Sequence, residues 1–307
     1  MTSVVVVGAS GMLGSMVTDV LAARRDLQVA GTVRTRRLAR ACGEQLPEVE
    51  WREYDATSDG RSLAAALDGA EWVINAIGLT KPYVHDDNPA EVEQAVRVNA
   101  AFPFELTRSA GAAGAQVIQI ATDCVFSGAT GRYLESSPHD ALDVYGKTKS
   151  LGEASLPGIH LLRCSIIGPE PSSPTFLLEW LRQQPAGASV NGYVDHLWNG
   201  VTTYAFARLC LGIVSGGITA PRLQHVIPDG DVTKADLLVM IAKAYGREDI
   251  TVVPTQAPGA IDRTLRTEQP ESNAMLWAAA GYAAPPSVAE MVDQMATHTP
   301  RLSGLAP

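Results

Sequence analysis

The sequence is short of cysteine, of long apolar runs and of clustered positive charge, and each shortage removes a class of protein. Its four cysteines, Cys42, Cys124, Cys164 and Cys210, are scattered without metal-ligand spacing. That argues against a disulfide framework or a metal site and for a reducing, cytoplasmic setting. The apolar start, Val4 to Val7, is far too short for a signal-peptide core or a membrane span. A net charge of −9 with no basic run or tail disfavours nucleic acid as a partner, while leaving room for a local basic pocket for phosphates. Internal repeats and low-complexity segments are also missing. What remains is 307 residues, 46% hydrophobic and 19% charged. That is an ordinary globular composition, long enough for one large domain with an appendage or for two domains.

The N-terminus carries the first strong signal. Val4 to Val7 is a β-branched run of the kind that forms a strand buried on both faces. It leads into Gly8-Ala9-Ser10-Gly11-Met12-Leu13-Gly14 and then a helical stretch to about Arg24. In a strand–glycine loop–helix, Gly8 permits the tight turn and Gly11 lets the backbone approach a pyrophosphate. Gly14 lets helix and strand pack closely, and the helix N-terminus faces the phosphates. A dinucleotide cradle is therefore expected from Gly8, Ser10, Gly11, Met12, Leu13 and Gly14. A second strand, Leu27 to Val33, runs into Arg34. An NAD site usually places a carboxylate about 20 residues past the glycines for the ribose 2′-hydroxyl. Here the first carboxylate after Asp26 is Glu44, too late for that role, and Arg34 stands where it would be. Arginine there suits a 2′-phosphate, so NADP(H) is favoured over NAD; the other reading of Arg34 to Arg40 is a solvated helix face.

Strand–helix alternation continues, which predicts an α/β doubly wound, Rossmann-like parallel sheet. A third strand covers Val49 to Tyr54, with Asp55 beyond it to reach the adenine amino group or to cap a helix. The fourth, Trp72 to Ile74, runs into Asn75-Ala76-Ile77-Gly78. Small residues such as Ala76 and Gly78 at a strand's carboxyl end, together with Ile77, let a cofactor lie against the backbone. Pro89 opens a helix running to about Gly111, with Asn99 inside it either as a satisfied core amide or as a site residue. Gln116 to Ala121 reads as the next strand, stopping at Thr122.

Downstream, Tyr145 precedes Lys149 by four residues, so on a helix both point the same way. A phenol titrates near 10, too high for acid–base work at neutral pH. A cation about 4 Å away contributes roughly 4 kcal/mol at an effective dielectric of 20, enough to lower the phenol by up to roughly three pKa units. Lys149 is therefore expected to tune Tyr145 toward operating pH, with Thr122 able to hydrogen-bond the same substrate oxygen.

Gly8-x-x-Gly11-x-x-Gly14, Asn75-Ala76-Ile77-Gly78, Asn99, Thr122 and Tyr145-x-x-x-Lys149 occur in the order and spacing of the extended short-chain dehydrogenase/reductases. Thr122-Asp123-Cys124-Val125-Phe126-Ser127-Gly128 with Val144-Tyr145-Gly146-Lys147 resembles the dTDP-4-dehydrorhamnose reductase group. The resemblance implies NADPH-dependent reduction of the 4-keto carbon of a nucleotide-linked deoxysugar. Tyr145 would donate the proton, Lys149 would bind the nicotinamide ribose and Thr122 would hold the keto oxygen. Asn99 would support Lys149 through water, and backbone near Ile166 would contact the nicotinamide amide. Asp123 and Cys124 would line the sugar site.

Cys124 departs from the group's usual aromatic. Related 4,6-dehydratases carry Glu there, so its absence argues against dehydration. In the GDP-fucose synthase type a cysteine at this position acts with a histidine in epimerisation, which makes an epimerase/reductase using Cys124 and His196 one alternative. A small packing residue in the pocket wall is the plainer reading of Cys124. A regulatory subunit that holds NADP and a partner protein without catalysis is another alternative.

Ile159 to Cys164 reads as the sixth strand. After Pro169 the alternation stops around a short helix, Thr175 to Arg182, so residues 1–168 are expected to form the NADP-binding domain. Residues 169–307 would then form a smaller substrate lobe, the chain returning toward the main sheet around 201–230. Tyr193 and Trp198, in the aromatic- and amide-rich stretch 191–203, either stack on the substrate or serve as core aromatics. Helices are expected over Tyr204 to Val214, over Lys234 to Tyr245 capped by Thr233, and over 285–299, with a strand at Leu223 to Ile227. Arg263 and Arg266 either meet the substrate pyrophosphate or are surface charges, and the last few residues are expected to be disordered. A homodimer is compatible with the sequence, which leaves oligomeric state open.

Overall fold

The β-branched N-terminal run lies inside the sheet. The computed structural model describes residues 1–57, 61–172, 174–218 and 221–305. Its first six strands are β1 (Thr2–Val7), β2 (Leu27–Val33), β3 (Glu50–Glu53), β4 (Trp72–Asn75), β5 (Gln116–Thr122) and β6 (Ile159–Cys164). Shorter ones follow: β7 (Ile166–Ile167), β8 (Ser189–Tyr193), β9 (His196–Trp198), β10 (Val201–Thr202), β11 (Leu223–His225), β12 (Val232–Thr233), β13 (Thr251–Thr255) and β14 (Ile261–Asp262). The main sheet has the order β11-β6-β5-β4-β1-β2-β3, and every pairing in it is parallel. Chain order reverses between β1 and β4, which opens a crevice at the carboxyl ends of the strands where ligands bind in such sheets.

Helices cover both faces because parallel strands need crossovers and leave no solvated face. In chain order they are α1 (Met12–Ala22), α2 (Arg36–Gln45), α3 (Arg61–Ala66), α4 (Pro89–Ala95), α5 (Phe102–Ala112), α6 (Val144–Leu151), α7 (Leu177–Arg182), α8 (Thr203–Gly216), α9 (Lys234–Ala244), α10 (Pro270–Ala279) and α11 (Val288–Thr297). One core, containing Val4, Val6, Met16, Val17, Phe206 and Trp277, lies on one side of the sheet. The other, containing Val5, Val7, Phe102, Leu106, Val117 and Leu161, lies on the opposite side. The alternation along β1 shows one strand feeding both.

β2 and β6 have the spans expected from sequence, while β3 is shorter than expected, and β11 joins the main sheet beside β6. Thr233 caps α9 through a capping box with Asp236. The helix expected from Pro89 to about Gly111 is interrupted: residues Val96–Ala101 form a π-helical segment between α4 and α5. Among the described residues three short sheets lie outside the main one, pairing β7 with β10, β8 with β13, and β9 with both β12 and β14. Among the described residues no helix is long and apolar enough to cross a membrane.

The expectation of a disordered C-terminus is corrected for residues 301–305. Arg301 donates to the carboxylate of Asp19, which is 2% exposed on α1, and also pairs with Glu48. His298 bonds the other Asp19 oxygen at 2.9 Å. Leu302 and Leu305 are buried, and the Leu305 amide donates to the Pro171 carbonyl at 2.9 Å. A buried carboxylate needs partners, and Asp19 finds them here.

Candidate active site

The loop after β1 has the geometry the glycines predicted. Gly8 adopts φ +84°, a region that disfavours any side chain. A β-carbon on Gly14 would overlap the Gly8 carbonyl, so the helix could not pack this closely on the strand. At Gly11, by contrast, a β-carbon would meet only Gly8 O at 3.5 Å, because that residue faces open space. The space is a cavity of about 1000 Å³ running along the carboxyl ends of the strands. Gly8, Ser10, Gly11, Met12, Leu13, Arg34, Asp55, Ala76, Ile77, Gly78 and Ile166 all line it. Volume, a bare glycine face, a helix N-terminus and an exposed arginine past β2 together fit a dinucleotide with an added phosphate. The Asp55 carboxylate also accepts from the amide and hydroxyl of Thr57, so it shapes its own turn.

The same cavity is lined at its other end by Thr122, Asp123, Cys124, Tyr145, Lys149 and Trp198. Helix α6 carries Tyr145 and Lys149, and Asp143 caps it by accepting from the Gly146 amide at 2.7 Å. Lys81, from the loop after β4, pairs with the same Asp143 at 2.7 Å. The far end of α6 is fixed by a buried amide chain: Asn75 donates to Gln119 at 3.0 Å, and Gln119 donates to Gly152 O at 3.1 Å. β4, β5 and α6 are thus tied by polar groups with no freedom to leave, since each buried amide would otherwise go unsatisfied.

Asn99 does not line the cavity. Its side chain grips the Leu79 backbone from both sides, accepting from the amide at 2.8 Å and donating to the carbonyl at 3.0 Å. A β-carbon at Gly78 would lie 3.6 Å from Asn99 Oδ1 and 3.8 Å from Lys149 Nζ, so the two groups converge beneath that glycine.

The electrostatics correct one expectation. The Tyr145 phenol is pushed up, not down. Burial is the largest cause, Cys124 and Asp123 add to it, and only Thr122 among the leading influences opposes it. Lys149 is itself pushed down by burial, with Glu153 opposing. Burial dominates both groups, and neither is among the leading influences on the other, so the expected tuning of the phenol by the ammonium is not what sets its titration. Burial and the Asp123 carboxylate push the Cys124 thiol up to about 12, which keeps it protonated.

The structure does not gather every residue singled out from sequence. Tyr193 and His196 pack against each other, rings tilted by 55° with centroids 4.9 Å apart, and are not part of the cavity lining. His196 bonds Gly259 O at 3.0 Å, so Cys124 and His196 do not form an acid–base pair around the cavity. Arg263 donates to the carbonyls of Phe126 and Ser127, and Arg266 forms a forked pair with Asp231; neither lines the cavity, which removes them from phosphate binding there. Sequence reasoning missed Lys234, Glu170, Phe176 and Leu305, which do line it. Lys234 was legible only as the first residue of a capped helix.

Residues 1–299 match the family described as RmlD substrate binding domain. A dTDP-4-dehydrorhamnose reductase of Mycolicibacterium smegmatis is 25% identical over 82% of this chain and 72% of its own. Methionine adenosyltransferase 2 subunit beta of Danio rerio is 28% identical over 54% of each chain. In fold, the chain is similar to a Bacillus anthracis dTDP-4-dehydrorhamnose reductase solved with NADP, with a TM-score of 0.69, 16% identity, and 96% and 99% of the two chains covered.

Proposed function

Since the chain belongs to the RmlD substrate-binding-domain family, we propose that it is a sugar-nucleotide reductase that reduces the 4-keto group of a nucleotide-linked deoxysugar with NADPH. The observation that carries this reading is one continuous cavity with a dinucleotide cradle at one end and Thr122, Tyr145 and Lys149 at the other. NADPH, when bound, supplies the hydride. The protein supplies position and a proton.

Gly8 to Leu13 and Ala76 to Gly78 would hold the dinucleotide, with Arg34 at its 2′-phosphate. Thr122 would turn its hydroxyl from Asp123, 3.3 Å away, to the keto oxygen. Tyr145 delivers its phenolic proton to that oxygen as negative charge builds there. A phenol pushed up by burial stays protonated at neutral pH, which is the form a reduction needs. Lys149, pointing the same way from α6, stabilises the charge left on Tyr145 after transfer.

The alternative of a non-catalytic NADP-binding subunit is supported by the likeness to methionine adenosyltransferase 2 subunit beta, which covers about half of each chain. NADPH oxidation with a dTDP-4-keto-6-deoxysugar, repeated with NADH, decides between them. Turnover with NADPH preferred, and that preference lost in Arg34→Ala, is the expected result. Tight NADPH binding with no turnover on dTDP-, UDP- or GDP-linked keto sugars would overturn the reductase.

A further inference from the structure

Lys234 stands at a helix start, where its positive charge gains nothing from the helix dipole. It is the first residue of the eleven-residue helix α9, where the amide dipoles already concentrate positive charge. An exposed lysine there would extend into water. Lys234 instead lines the cavity, with its ammonium 5.3 Å from the ring centroid of Trp198. Trp198 is 3% exposed and locked by its indole N–H to Ser165 Oγ at 2.8 Å, so the platform is rigid. Among the described residues, no hydrogen bond or ion pair within 4 Å holds the Lys234 ammonium.

Its electrostatic neighbours are Asp123 and Cys124, which sit at the end of β5 beside Thr122. Asp123 is 8% exposed, also lines the cavity, and has no ion pair within 4 Å among the described residues. Its side chain accepts from the Thr122 hydroxyl at 3.3 Å. A cation and a carboxylate, neither in an ion pair within 4 Å among the described residues, thus line the same cavity, and the charges of Arg263 and Lys234 both act on Asp123. Such a pair is costly to bury unless something polar completes it.

We propose that Lys234 and Asp123 together read a free hydroxyl of the sugar next to the carbonyl, which makes Lys234 a specificity-determining residue. The proposal rests on the reductase reading. A hydroxyl is donor and acceptor at once, so it can donate to Asp123 while accepting from Lys234. A diphosphate fits this spot poorly, because its oxygens only accept and would be repelled by the Asp123 carboxylate. The substrate class that follows is a nucleotide-linked hexose retaining at least one hydroxyl beside its keto carbon.

The test compares binding of a nucleoside diphosphate alone with binding of the same nucleotide carrying a hexose, in wild type, Lys234→Met and Lys234→Arg, all saturated with NADPH. Methionine keeps the apolar stem over Trp198, and unchanged NADPH affinity shows that the fold is intact. Lys234→Met should weaken the nucleotide hexose roughly 10- to 100-fold, the scale of one hydrogen bond to a charged group. The bare diphosphate should bind as in wild type, and Lys234→Arg should recover part of the hexose affinity. Equal weakening of both ligands would mean that the lysine reads the diphosphate, and no weakening would mean that it reads neither; either overturns the assignment while the reductase stands. Wild-type protein that binds NADPH but no nucleotide hexose would remove the reductase reading, and the lysine assignment with it.

Discussion

Gly152, just past α6, is packed against Asn99 so tightly that a β-carbon there would fall inside the Asn99 carbonyl oxygen. Asn99 lies in the π-helical segment Val96–Ala101, so the widened turn and the side-chain-free residue fit one another. The contact sets how far α6, and with it Lys149, stands from the loop that Asn99 pins at Leu79. Gly152→Ala should therefore push α6 outward. The expected cost is about 1–3 kcal/mol of stability, as for other overpacked sites, with activity falling further than NADPH affinity. Chemical denaturation alongside steady-state kinetics would show it; a variant equal to wild type in both would mean that the contact sets nothing.

The titrations at the site predict an asymmetric pH profile. Burial raises the Tyr145 phenol and lowers the Lys149 ammonium from its ordinary 10.5. In the reduction direction both protonated forms are the working ones. kcat/KM should therefore show no phenol titration as pH rises through neutrality. The alkaline fall should lie below the ordinary lysine value, because Lys149 loses its proton first. A rise through neutral pH, showing that an ionised phenol is required, would contradict this.

Stability should fall in mild acid for a reason far from the chemistry. Arg163, fully buried on β6, donates to His225 at 2.8 Å and pairs with Glu153 at 2.5 Å. Burial first, then the Arg163 charge, pushes His225 down to about 4. A histidine depressed on folding binds its proton more readily in the unfolded chain. Its contribution is present above the ordinary value of 6.5 and is lost as pH falls from there to about 4. Thermal unfolding across that range should show the loss, and His225→Gln should flatten it.

The C-terminal strap makes a separate prediction. Arg301→Ala leaves Asp19 buried with the His298 ring as its remaining side-chain hydrogen-bond partner. Given the partial exposure of Arg301, a loss of roughly 2 kcal/mol is expected. Asp19→Asn in the same chain should restore much of it, because the stranded charge is gone. Equal losses in single and double variants would show that packing of Leu302 and Leu305, not charge, holds the strap.

Most of the nucleotide-binding half was legible in the sequence because its signals are local. A β-branched run, glycines at fixed offsets and a tyrosine four residues before a lysine each announce a backbone shape or a shared helix face. What escaped detection depends on residues that meet only in the folded chain. Asp19 and Arg301 are 282 positions apart, so nothing near Arg301 signalled order. The π-helical turn at Asn99 is bound to Gly152, some fifty residues away. Lys234 reaches the cavity from the stretch after Gly168, where short strands and frequent prolines leave little periodicity to read. The phenol's shift went the wrong way for a similar reason: charge spacing is visible in a sequence, but depth of burial is not.

The central claim is that Tyr145 is the proton donor of a reductase. Its most direct test is NADPH oxidation with a dTDP-4-keto-6-deoxysugar by wild type and Tyr145→Phe, with NADPH affinity measured on both. The account predicts that kcat falls by roughly 10²- to 10⁴-fold in the variant while NADPH binds as in wild type. A Tyr145→Phe protein that turns over within tenfold of wild type would contradict it.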